Sequence, residues 1–266
     1  MSELSLQQVA DRLGVHYMTA YKYVRMGRLH AEKHGASWVV LEEDLERFLT
    51  RPEAGEGSLA SWSRDFEILI LRGDTTAGWT LVEQALGSGV GPEQVILEVM
   101  NPALRRIGEK WARGEIDVYD EHLATATMRR LLARLSPTLN RRGNKRGRVL
   151  VAMAEGEMHD LGAEILSEIL RGAHYDALSL GANTPPQSIA RAVAQLNDLD
   201  AVFIGATMDV TSLIASIAAV RDVDPTVVVL VGGGAFVGGP VEGVDADAVI
   251  SDFHDAVAIL DRSLGR

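Results

Sequence analysis

The sequence predicts a multi-domain chain of three unlike parts: a small winged helix-turn-helix, a four-helix bundle, and an α/β flavodoxin-like domain on a five-stranded parallel sheet. Three observations carry this. Apolar positions recur at helical spacing over residues 60–136, and after Arg148 they change to short continuous runs rich in β-branched residues. Two stretches, Arg51–Ser58 (RPEAGEGS) and Pro137–Gly147 (PTLNRRGNKRG), have the composition of linkers. A length of 266 residues exceeds the ~150 typical of one domain. The division is residues 1–50, a linker over 51–59, residues 60–136, a linker over 137–147, and residues 148–266.

In the first part, Ser5 is placed to cap a helix whose apolar stripe is Val9, Ala10 and Leu13. Gly14-Val15 makes a turn, a second helix runs from Tyr17 to Met26, and Gly27 ends it. Leu29–Ala31 and Ser37–Leu41 read as two short strands around Gly35, and Glu43–Leu49 as a third helix. Residues 11–34 hold five basic side chains (Arg12, Lys22, Arg25, Arg28, Lys33) against Asp11 and Glu32. This arrangement places the second helix in a DNA major groove, with His16, Tyr17, Thr19, Lys22 and Arg25 facing outward and Arg28 beside them.

Residues 60–136 read as four helices. Phe66 and Ile68–Leu71 mark the first, Asp74 caps the second, and Pro92 opens a third carrying Val95, Ile96, Val99, Met100, Leu104 and Ile107. The fourth spans Val118–Leu135, and short connections imply a bundle. From Arg148 onward, apolar runs begin at Val149, Asp176, Asp200, Thr226 and Asp247. They are separated by the helical stretches His159–Arg171, Ser188–Leu196, Val210–Arg221 and Phe253–Leu260. Strands apolar along their whole length are covered on both faces, as in a doubly wound sheet. Ligands of such sheets sit beyond the carboxyl ends of the strands, so the residues just after each run matter most.

Composition narrows the function. Absence of cysteine excludes disulfides, thiolate metal sites, iron–sulfur clusters and a cysteine nucleophile. No secretion signal or membrane span is legible, so a cytoplasmic protein is expected. Net charge is −11, and residues 146–266 carry 7 basic against 17 acidic side chains. Acidity of that kind repels phosphates, so any nucleic-acid contact is local to the basic patch of the first part.

After the first strand comes Gly156-Glu157-Met158-His159-Asp160-Leu161-Gly162. Glu157 is spaced to accept a ring N–H of His159 and turn the other nitrogen outward as a ligand. Thr207 follows the third strand, and Gly232-Gly233-Gly234 follow the fourth, where missing side chains admit a bulky ligand. The glycine run is not a dinucleotide fingerprint, which belongs after the first strand. Together these residues resemble the cobalamin-binding domain family, whose pattern is an acidic residue, any residue, His, two residues, Gly. The resemblance implies His159 as the lower axial ligand of cobalt. It implies Thr207 as a hydrogen-bond partner of the displaced benzimidazole tail, and Gly232 and Gly233 as the surface along which that tail lies. A four-helix cap precedes this domain in the family.

Within the cap, Trp111, nine residues, then Glu121-His122 is similar to the signature of CarH-type photoreceptors, adenosylcobalamin-dependent transcriptional regulators. That resemblance implies Trp111 over the adenosyl group, Glu121 on its ribose or adenine, His122 closing the pocket and Val118 lining it. Such proteins usually carry a histidine directly after the tryptophan, where this chain has Ala112. The first part looks like the excisionase-type branch of the MerR superfamily. The expected function is that of a regulator and not an enzyme: adenosylcobalamin and light control a homo-oligomer, dimer or tetramer, on a double-stranded DNA operator. The rival expectation is a corrinoid carrier of a methyltransferase system.

Overall fold

The change of period near residue 147 is a change from helices to a parallel sheet in the structure, a computed structural model. It describes residues 3–13, 17–25, 29–34, 37–49, 56–139 and 143–266. The chain divides into two units, Met1–Ala124 and Thr125–Arg266.

In the first unit, Ser5 and Gln8 open the first helix as a reciprocal cap. The Gln8 amide donates to Ser5 Oγ at 3.3 Å and the Ser5 amide to Gln8 Oε1 at 2.9 Å. Helices α1 (Leu6–Leu13), α2 (Tyr17–Arg25) and α3 (Glu42–Leu49) stand with a sheet of order β1-β3-β2. Its strands are β1 (Glu3–Ser5), β2 (Glu32–His34) and β3 (Ser37–Leu41). The strand expected over Leu29–Ala31 is displaced to Glu32–His34, because Leu29 is a buried plug packed with Val9, Ala20 and Val40. Strand β1 was not anticipated; three residues are too short to show alternation. The expected Gly14-Val15 turn, the last residue of the expected second helix (Met26) and its Gly27 terminator lie outside the described residues, as do His16 and Arg28.

Helix α4 (Glu56–Leu71) begins inside the stretch read as a linker. Helix α5 (Thr75–Gly87) is capped by Asp74, which accepts from the Ala77 amide at 2.9 Å. The expected third helix is a composite of α6 (Pro92–Val95), a π turn (Ile96–Met100) and α7 (Asn101–Ala112). Pro102 explains it. Proline has no N–H to give the fourth carbonyl back and its ring crowds that carbonyl, so the helix widens ahead of it. The buried hydroxyl of Ser63 donates to the Val99 carbonyl inside the widened turn at 2.9 Å.

Beside Ser63 lies Glu67, 5% exposed, whose carboxylate meets Arg106 Nε at 2.5 Å and Lys110 Nζ at 2.6 Å. Burial pushes Glu67 up, but the hydrogen bonds from Lys110 and Arg106 outweigh it and hold the carboxyl below its ordinary range. A carboxyl lowered in the folded state contributes stability above its unfolded pKa and loses it as pH falls through the folded value. Glu67→Gln is therefore expected to cost about 2 kcal/mol at pH 7. The gap from the parent should close below the carboxylate range. Urea unfolding across pH 7 to 3 checks this, and a gap independent of pH contradicts it.

Helix α8 (Val118–Leu135) continues from the first unit into the second and ends in a 3-10 turn, Ser136–Thr138. The second unit is a five-stranded parallel sheet of order β5-β4-β6-β7-β8. Its strands are β4 (Gly147–Ala154), β5 (Tyr175–Thr184), β6 (Leu199–Gly205), β7 (Val228–Gly232) and β8 (Ala248–Ile250). Leu150, Ala152 and Ala154 of β4 face a core with α10 (Pro186–Gln195) and α11 (Thr211–Val223). Val149, Val151 and Met153 face another with α9 (Leu161–Gly172) and α12 (Ala256–Ser263). Both faces are buried, as continuous apolar strands require. The chain leaves β4 for β5 on one side and returns to β6 on the other, so the crevice lies beyond the ends of β4 and β6. Among the described residues no helix is long and apolar enough to cross a membrane.

Candidate functional site

The loop after β4 is shaped by two residues of left-handed backbone. Gly156 has φ +85 and Asn183, near the end of β5, has φ +50. The Asn183 side-chain oxygen accepts from the Gly156 amide at 2.8 Å, and the Asn183 amide donates to the Glu157 carbonyl at 2.8 Å. Sequence reasoning missed Asn183; its tolerance of left-handed backbone beside a strand end was the available signal. Stitched this way, the loop turns the Glu157 carboxylate inward, its side chain 10% exposed.

Glu157 ties three groups together. Its Oε1 accepts from the His159 amide at 2.8 Å and lies 2.6 Å from His159 Nδ1, while its Oε2 accepts from the Thr207 amide at 2.6 Å. Burial pushes this carboxyl up, but the hydrogen bonds from His159 and Thr207 prevail and leave it below the ordinary carboxylate range. An anionic partner at 2.6 Å calls for a proton on Nδ1. The assigned tautomer then leaves the Nε2 lone pair free. The His159 side chain is 58% exposed. The helix expected from His159 begins at Leu161, so the imidazole stands on the loop and not on the helix.

The glycines that close and follow β7 are required by the protein's own packing. A Cβ on Gly232 would lie 2.5 Å from the Ile250 carbonyl oxygen, and one on Gly234 2.9 Å from the Thr207 carbonyl. At Gly233, φ +105, it would run into the Ala206 carbonyl. The missing side chains let the protein's own strand ends and loops approach. Gly162 is the reverse case, since an added Cβ meets only the Phe253 ring at 3.8 Å. The carboxyl edge also leaves Met158, Leu180, Met208 and Val237 exposed, four apolar residues that sequence reasoning passed over. A corrinoid holds its own cobalt and would take from the protein at most one nitrogen ligand. An oriented, exposed imidazole on an edge bearing apolar side chains fits that role.

The other residues singled out belong to the first unit. Trp111, in the last turn of α7, is 44% exposed, so it is not a core anchor of the bundle. Val118 is 49% exposed and begins α8, where the Asp117 amide donates to the Asp120 side chain. Glu121 and His122 follow, with Oε2 and Nε2 3.6 Å apart and the His122 side chain outermost. On α2, Tyr17 is exposed; Thr19, Lys22 and Arg25 lie on the helix, with side chains outside the described set.

Residues 147–261 match a family described as a B12 binding domain, residues 62–136 match a second family of that description, and residues 3–52 match a helix-turn-helix domain. The chain is 23% identical over 137 residues to monomethylamine corrinoid protein 2 of Methanosarcina acetivorans, which covers 50% of this chain and 63% of that protein. It therefore spans less than two thirds of that relative. It is 24% identical over 189 residues to the trimethylamine corrinoid protein of Methanosarcina barkeri, covering 67% of this chain and 85% of the relative. Among solved structures, the Methanosarcina barkeri monomethylamine corrinoid protein shares the fold with a TM-score of 0.61 at 18% identity, covering 75% of this chain and 97% of that one. With two B12 binding domains behind a helix-turn-helix domain, this is a cobalamin-binding protein that carries a DNA-binding module.

Proposed function

We propose that the protein is a cytoplasmic transcriptional regulator in which adenosylcobalamin and visible light set oligomeric state and DNA affinity. The observation that carries this reading is the helix-turn-helix domain over residues 3–52, for which a carrier serving partner enzymes has no use. When bound, adenosylcobalamin supplies a cobalt–carbon bond that visible light breaks. His159 holds the metal and Glu157 fixes its tautomer, while Thr207, Gly232, Gly233 and Gly162 bound the tail. Trp111, Val118, Glu121 and His122 take the adenosyl group. Their support is the exposure of the indole, of Val118 and of the His122 ring, which the bundle core does not use. Ala112 has no ligating atom, so position 112 would supply no imidazole to the metal.

Residues 11–34 carry few cations, so one module binds DNA weakly and several on a homo-oligomer bind well. A second reading, a corrinoid carrier of a methyltransferase system, is favoured by the names of the relatives. In neither reading does the chain itself turn over a substrate. The test loads the full chain with adenosylcobalamin in darkness and measures its mass by light scattering and its affinity for genomic DNA fragments, before and after green light. Joint loss of mass and affinity on illumination is expected. Equal mass and no DNA binding in either state overturn the regulator and leave the carrier.

A further inference from the structure

The loop that bears His159 is gripped at both ends. Glu157 and Asn183 hold the first end; a cation from another element holds the second. Asp160, between His159 and the first residue of α9, occupies the helix-capping position, yet its side chain makes no cap hydrogen bond. Its carboxylate is turned instead to Arg129, on α8, whose Nη2 donates to Asp160 Oδ1 at 2.8 Å and Nη1 to Oδ2 at 3.4 Å. Nη1 also donates to Glu164, one turn into α9. The same α8 carries Glu121 and His122 near its start. With Arg129 removed, Asp160 and Glu164 would face each other as uncompensated anions, and the loop would have reason to move.

We propose that Arg129 is a positioning residue: through Asp160 it sets the height and angle at which the His159 imidazole is presented. The proposal rests on the reading that His159 is the cobalt ligand. Arg129 touches no cofactor in this scheme and acts by holding its neighbour. Of its two acidic partners, Asp160 transmits the effect and Glu164 only fastens α8 to α9.

The experiment uses the full chain labelled with nitrogen-15, loaded with unlabelled hydroxocobalamin and reduced to cobalt(II). Electron paramagnetic resonance then shows a doublet splitting from a protein nitrogen and a triplet from the cofactor's own base. Equilibrium dialysis gives the corrinoid dissociation constant, and thermal unfolding reports stability. Arg129→Ala and Asp160→Asn are expected to lose most of the doublet and to bind corrinoid about tenfold more weakly. Glu164→Gln should keep the doublet whatever it does to the melting temperature. If Arg129→Ala does not fold, Asp160→Asn decides. A doublet present in the parent, absent in His159→Ala and intact in both Arg129→Ala and Asp160→Asn overturns the positioning role alone. A doublet missing from the parent, or kept by His159→Ala, overturns the ligand reading beneath it.

Discussion

Exchanging His159 for alanine is expected to weaken corrinoid retention by roughly a hundredfold, the largest functional loss available from one substitution in this chain. The argument is geometric. The Glu157 carboxylate spends one oxygen on the His159 amide and ring and the other on the Thr207 amide. Alanine keeps the backbone donor, so the loop keeps its frame and loses only the imidazole. The ring is 58% exposed, but its Nδ1 meets the nearly buried Glu157 carboxylate at 2.6 Å, so unfolding free energy should fall by about 1 kcal/mol, with the fold kept. Equilibrium dialysis with hydroxocobalamin, alongside urea unfolding, separates the two quantities. Unchanged retention would show that the metal is held elsewhere; retention lost together with the fold would show that the histidine is structural.

Gly233→Ala is expected to have the largest effect on stability, about 3 kcal/mol or more. Two penalties add. At φ +105 an L side chain is strained wherever it points, and its Cβ would enter the Ala206 carbonyl, which belongs to the backbone and cannot swing aside. Gly162→Ala is the matched control: its Cβ meets only the Phe253 ring at 3.8 Å, so folding should be nearly unaffected. Urea midpoints for the two variants should differ widely. Similar midpoints would mean that the loops after β6 and β7 are not packed as described.

The architecture was legible where the pattern was long. Five apolar runs became five parallel strands, the central β4, β6 and β7 buried on both faces, and Asp74 announced α5 by capping it. Short or distant determinants were not legible. The strand Glu3–Ser5 is too brief to alternate. Pro102 was on the page, but the π turn it imposes on Ile96–Met100 depends on a carbonyl four residues back. The pairing of Glu157 with His159 could be read from a spacing of two, whereas Arg129 and Asp160 are 31 residues apart and nothing local joins them. That Gly232, Gly233 and Gly234 also let Ile250, Ala206 and Thr207 approach was not legible, because those partners are distant in sequence.

The account turns on a bond between cobalt and Nε2 of His159. A crystal structure of the full chain grown in the dark with adenosylcobalamin measures it directly. The expected result is cobalt bonded to that nitrogen, with Nδ1 still on Glu157 and the benzimidazole tail displaced from the metal. Cobalt that keeps its own benzimidazole, with the His159 ring turned elsewhere, would contradict it.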